Sequence, residues 1–183
     1  DASRSVFIQA VNDAPIAPSS PISLASGTED TAYTIKAADL LNGFSDIDSP
    51  SLSVVNLTSS SGFLQDNQDG TYTLTPNTNF NGLIQLDYQV DDSNGGVVDA
   101  TSSVFITAVN DAPVAPSNPI SLTAGTEDTA YTIQASDLLQ GFSDVDGDTL
   151  SVINLSSSSG FLQDNQDGTY TLTPNTNFNG LIQ

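Results

Sequence analysis

The chain has 183 residues, of which 22 are acidic and two, Arg4 and Lys36, are basic, for a net charge of −20; 37% of it is hydrophobic. With no Cys and no His, disulfides, thiolate chemistry, the usual general base and the commonest transition-metal ligand are all excluded, leaving carboxylates, hydroxyls and amides. So acidic a chain is a poor partner for nucleic acid or anionic membranes and needs cations or salt to offset its self-repulsion. No run of about 18 apolar residues exists to cross a membrane.

In chain order, the alternating residues of Ser5–Val11 read as a strand. A helical turn is expected over Ala37–Leu41, with Asp39 and its later copy Asp137 as local caps. Asp69-Gly70 marks a hairpin; after it Tyr72 and Leu74 alternate with Thr71, Thr73 and Thr75. Leu86, Tyr88 and Val90 alternate with Asp87, Gln89 and Asp91, and Gly95-Gly96 then turns the chain. Val104, Ile106 and Ala108 alternate with Phe105, Thr107 and Val109 in the strand that follows. This period of two, with defined turns, argues against disorder. It predicts an all-β, Greek-key β-sandwich with the aromatic residues in its core.

The sequence also matches itself at a shift of 98 positions, which carries Asn12-Asp13-Ala14-Pro15 onto Asn110-Asp111-Ala112-Pro113. The block from Gly62 to Gln85 recurs unchanged as Gly160 to Gln183, and roughly four positions in five are identical over the overlap. The expected organisation is the last strand of a preceding repeat at 1–12, a complete repeat at 13–110, and a partial second repeat at 111–183 without its final strands. Such an open edge invites self-association.

Carboxylates cluster at the same places in each copy. The first copy has Asn12-Asp13, Glu29-Asp30, Asp46-x-Asp48 and Asp91-Asp92; the second has Asn110-Asp111, Glu127-Asp128 and Asp144-x-Asp146-x-Asp148. Calcium takes six to eight oxygen ligands, and alternating Asp residues in a loop aim several oxygens at one point. An EF-hand does not fit, because Thr149 and Leu155 stand where Gly and Glu are needed. Asp66, Asn67 and Asp69 are accounted for by their hairpin turn.

The order Asn-Asp-Ala-Pro, Glu-Asp, Asp-x-Asp, then Val-x-Asp-x-x-Gly-Gly resembles a cadherin repeat. It is most similar to the cadherin-like tandem repeats of giant bacterial surface adhesins, proteins often exported by a type I (RTX-type) route. The resemblance covers the whole chain and implies Ca2+ at the junction of consecutive repeats. At the first junction it implies Asn12, Asp13, Asp46, Asp48 and Asp92 as ligands; at the second, Asn110, Asp111, Asp144, Asp146 and Asp148, with Glu29 from the unit above. Glu127, the copy of Glu29, belongs to the same set. The acidic Leu-Asp-Arg-Glu loop of cadherins is replaced by Pro76-Asn77-Thr78-Asn79-Phe80-Asn81-Gly82, which implies fewer ions per junction. Because Ser49-Pro50 stands where the second copy has Gly147-Asp148, the two junctions are expected to differ in affinity.

The expected role is a non-enzymatic, extracellular, calcium-stiffened stalk that supports cell adhesion and biofilm formation, with calcium and the adjacent repeats as partners. The alternatives are a self-assembling matrix filament, with a strand such as Ser5–Val11 completing a neighbour's edge, and a carbohydrate- or protein-binding module.

Overall fold

The computed structural model describes residues 4–183. It divides between Val109 and Asn110 into two units. The first contains β1 (Ile22–Ser23), β2 (Gly27–Thr28), β3 (Tyr33–Lys36), the single helical turn α1 (Ala37–Leu40), β4 (Ser53–Ser59), β5 (Phe63–Asp66), β6 (Thr71–Thr75), β7 (Gly82–Asp91) and β8 (Val97–Thr107).

Two sheets face each other in this unit. One has the order β1-β8-β7-β4, with β2 also on β8; the other has the order β3-β6-β5. β1 and β2 both run parallel to β8 and form two pieces of one edge, while every other pairing is antiparallel. The chain crosses from one sheet to the other after β2, β3, β4 and β6, while β5–β6 and β7–β8 are hairpins within a sheet, in keeping with a Greek-key sandwich.

The alternation explains the core. Ile84, Leu86, Tyr88 and Val90 of β7 and Val104 and Ile106 of β8 point inward, where they join Ile35, Leu40, Val54 and Leu74 in one buried cluster. Burial of each such side chain contributes about 1.5–3 kcal/mol. The phenol of Tyr88, pushed above its usual pKa by burial, donates a 2.8 Å hydrogen bond to the carbonyl of Leu40 and so ties the end of α1 to the sheet. Its ring meets Phe44 edge-on at 6.5 Å. A bulge in β4, between Val55 and Thr58, places Asn56 at φ 54°, one extra residue that bends the edge.

Four expectations need correction. The described part of the terminal segment, 4–12, forms no strand, and Val6, Phe7, Ile8 and Val11 are exposed; residues 1–3 lie outside the described residues. Its sequence copy in β8 is a strand because β7 supplies a full antiparallel partner, and among the described residues no strand pairs with Ser5–Val11. Asp39 and Asp137 do not cap, since Lys36 and Gln134 occupy the cap positions and neither helical turn has a side-chain cap bond. The aromatic residues are not uniformly core: Phe63, Phe105 and Phe161 are at least half exposed. Ala108 lies beyond the end of β8 and is exposed.

The second unit contains β9 (Tyr131–Gln134), α2 (Ala135–Leu138), β10 (Phe161–Asp164) and β11 (Thr169–Thr173), in one sheet of order β10-β11-β9. Ile133 and Leu172 are its buried apolar residues. The copy of β4 lies as coil, whereas β4 itself pairs with β7. The start of that pairing is nevertheless present: Ser158 and Gln183 exchange bonds just as Ser60 and Gln85 do in the first unit. Among the described residues no helix is long and apolar enough to cross a membrane.

Candidate metal centre

Three stretches distant in sequence converge at one pole of the first unit. A two-residue bridge joins Ile16 to Ser45 through backbone bonds of 2.7 and 3.1 Å, which lays the entering chain beside the loop after α1. The amide of Asp13 then donates to Asp48 Oδ2 at 2.9 Å. Within that loop, the amides of Asp48 and Ser49 both donate to Asp46 Oδ1, at 2.8 and 2.7 Å.

The third stretch is the β7–β8 hairpin. Asp92 Oδ1 accepts the amides of Asn94 and Gly96 at 2.7 and 2.9 Å, and Oδ2 accepts the side chain of Asn12 at 2.7 Å. The Asn12 amide chiefly, with the backbone amides of Asn94 and Gly96, holds the Asp92 carboxyl below the usual carboxylate range. It stays ionised although it is only 2% exposed. Gly96 is required by close approach: a Cβ there would stand 2.8 Å from Ala14 Cα and 2.9 Å from the carbonyl oxygen of Asp13.

The donor set suits a hard cation. The acidic residues brought to this pole, Asp13 through its amide and Asp46, Asp48 and Asp92 through their carboxylates, include no nitrogen or sulfur ligand, which fits calcium better than a transition metal. Asp46 Oδ2 is shut off from solvent yet accepts no hydrogen bond. A buried carboxylate oxygen with no donor is costly, and a cation is the natural group to satisfy it.

Glu29 lies at the opposite pole. The hairpin carrying Asp92 precedes β8, whereas Glu29 follows β2, whose partner is the far end of β8. The 11 residues of β8 span roughly 36 Å. Glu29 is 2% exposed; its Oε1 accepts the amide of Val109, and its Oε2 lies 3.5 Å from the Asn81 side-chain amide. Asp30 accepts the amide of Asn79 at 2.9 Å. The Pro76–Gly82 segment therefore wraps onto the Glu29-Asp30 corner and supplies amides to its carboxylates.

The second unit rebuilds part of the first pole. Val114 and Ser143 bridge at 2.8 and 3.1 Å, the amide of Asp111 donates to Asp146 Oδ2 at 2.7 Å, and that of Asp146 donates to Asp144 Oδ1 at 2.9 Å. Asp148 is exposed, its amide 3.4 Å from Asp144 Oδ1. Asn110 differs from Asn12: no copy of the Asp92 hairpin is present within 110–183, and its side chain bonds the carbonyl of Asp111 instead. Glu127 is exposed. Ser49 and Asn94 escaped the sequence reading. They join the Asp46 loop to the Asp92 hairpin through a 2.6 Å bond between their side chains, and a Ser and an Asn in turns carry no signal of a contact 45 residues apart.

The sequence model of the cadherin-like domain matches residues 11–107 and again residues 109–183. No curated protein matches the chain. Among solved structures, endo-fucoidan hydrolase MfFcnA4 of glycoside hydrolase family 107 is similar with a TM-score of 0.40 at 26% identity, over 89% of this chain and 24% of that one. Endo-fucoidan hydrolase MfFcnA9 of the same family has a TM-score of 0.32 at 21% identity, over 89% of this chain and 30% of that one. The chain thus corresponds to less than a third of either enzyme's length. Two consecutive matches that together take in nearly the whole sequence make this chain a member of the cadherin-like domain family.

Proposed function

We propose that these repeats are calcium-stiffened extenders in the stalk of an extracellular bacterial adhesin, serving cell attachment and biofilm formation rather than catalysis. The observation that carries this reading is the pole formed by Asp13, Asp46, Asp48 and Asp92, where Asp46 Oδ2 is buried without a hydrogen-bond donor. Domains of the cadherin-like kind are extracellular adhesion modules that commonly bind calcium. When bound, calcium supplies positive charge and coordination bonds that hold carboxylates from separate chain segments at one point.

The residues divide the work by position. Asp46, Asp48 and Asp92 hold their oxygens ready through backbone amides, so little ordering is left to be done on binding. Asn12 and Asp13 are linker residues before the first repeat, and Asn110 and Asp111 hold the same place before the second, whose alternating loop carries Asp144, Asp146 and Asp148; Glu29 is a further proposed ligand of the first repeat. Glu127 would serve a following junction. Ligands drawn from both sides of a linker resist its bending, and the binding free energy is added to the folded, aligned state. Tandem near-copies then build length, which suits a spacer.

Thermal unfolding with calcium and with EDTA tests this. Loading at millimolar calcium is expected to raise the melting temperature by several degrees over the chelated chain, and Asp46→Asn is expected to remove part of that rise. Superimposable melting curves would contradict the proposal.

A further inference from the structure

The chain enters the first unit at the pole of Asp92 and leaves it at the pole of Glu29. Its entering segment, Asn12 to Glu29, lies beside Asp92 to Val109 in the same direction and at one constant offset. Asn12 donates to Asp92, Ser102 Oγ donates to the carbonyl of Ile22 at 2.9 Å, Thr107 Oγ1 donates to that of Gly27 at 2.8 Å, and the amide of Val109 donates to Glu29 Oε1; every one of these pairs is 80 residues apart. Main-chain bonds lie between them, from the amide of Leu24 to Ser103 and from that of Glu29 to Thr107, both at 3.0 Å.

Two residues are shaped to this contact. Ser102 stands at an inward position of β8, opposite Leu86, and is 4% exposed. A buried hydroxyl is costly unless it bonds, and this one bonds across to β1. Gly27 lets β2 come close: a Cβ there would stand 2.9 Å from Ile106 Cδ1 and 3.0 Å from Tyr33 Cδ2.

Because β1 and β2 run parallel to β8, tension on the two ends of the unit draws them lengthwise along it. The bonds between parallel neighbours cross that pull, so they share the load and give way together; peeled from one end, they break one at a time. We infer that the edge formed by β1, β2 and β8 is a load-bearing clasp, in which Ser102, Thr107 and Glu29 fasten the entering segment to the leaving strand and keep the repeat folded under tension. The stalk reading supplies only the direction of the load, and calcium takes no part.

The sequence has no Cys, so introduced cysteine pairs set the direction of pull in single-molecule force measurements on the whole chain in EDTA. Ala10→Cys with Ala112→Cys loads the edge lengthwise, and Ala10→Cys with Ser93→Cys peels it from the Asp92 end. The lengthwise pull should need several times the force of the peel, the 80 enclosed residues releasing roughly 280 Å of chain. Forced unfolding follows the unfolding rate. Adding Ser102→Ala and Thr107→Val should therefore shorten the lifetime at fixed lengthwise force by about tenfold, and under the peel by much less. Thermal melting in EDTA is the folding control for that variant, and the comparison of directions needs no variant of the clasp. Equal forces in the two directions would overturn the inference. So would a variant whose two lifetimes shorten by one factor, the mark of a general loss of stability, or whose lengthwise lifetime stays the same. Melting that ignores calcium would contradict the stiffening proposed above and leave the clasp standing.

Discussion

Asp69 shows how a carboxylate can be fully occupied without a metal. Its Oδ1 accepts the hydroxyl of Thr71 at 2.6 Å and its amide at 3.0 Å, and these bonds, the hydroxyl's foremost, hold its pKa below the usual value; Asp167 and Thr169 repeat the arrangement. A lowered folded pKa means stability that is present above the unfolded value of about 3.9 and is lost as pH falls through the folded one. Urea midpoints measured from pH 6 to pH 2.5 should therefore fall at the acid end. They should fall less steeply in the Asp69→Asn, Asp167→Asn double variant, and parallel curves would disprove the assignment. The sequence reading of Asp66, Asn67 and Asp69 as turn residues holds for a local reason, since each bonds the chain within a few positions. Asp near a helix start commonly caps it, whereas Asp39 sits inside the first turn, and its sequence position alone does not separate the two cases.

Among the elements, the strongest alternations were legible and the rest depended on neighbours. β7 and β8 bury every second residue, so Leu86, Tyr88, Val90, Val104 and Ile106 could be placed from their period alone. Phe105 obeys that period too. It pairs across the ladder with Leu83 on the outward face, and alternation overrides its aromatic character. Ser5–Val11 has the same alternation and no strand, because a ladder needs a partner that no local pattern supplies. Leu86→Ala should destabilise the first unit by about 2–5 kcal/mol in urea unfolding, while Leu83→Ala, at an exposed partner position, should stay within about 0.5 kcal/mol. Equal losses would refute the inward and outward assignment. Gly96→Ala tests the hairpin's hold on the linker: its Cβ would press on Ala14 and Asp13. Weaker calcium uptake with little change in calcium-free melting is expected, and unchanged uptake would detach Asp92 from the site.

For the molecule as a whole, charge and repetition were the legible features, and the poles were not. A net charge of −20 with two basic residues announces that something else must offset the acids, and the recurrence of Asp-x-Asp says where. Periodicity could not show that β8 separates Asp92 from Glu29, because that separation is a property of the sandwich. The most direct test of calcium at these poles is the anomalous signal in crystals of the chain grown with millimolar calcium. The account predicts peaks within about 2.6 Å of carboxylate oxygens of Asp13, Asp46, Asp48 and Asp92, and again at Asp111, Asp144 and Asp146. Water-filled gaps at both places would contradict it.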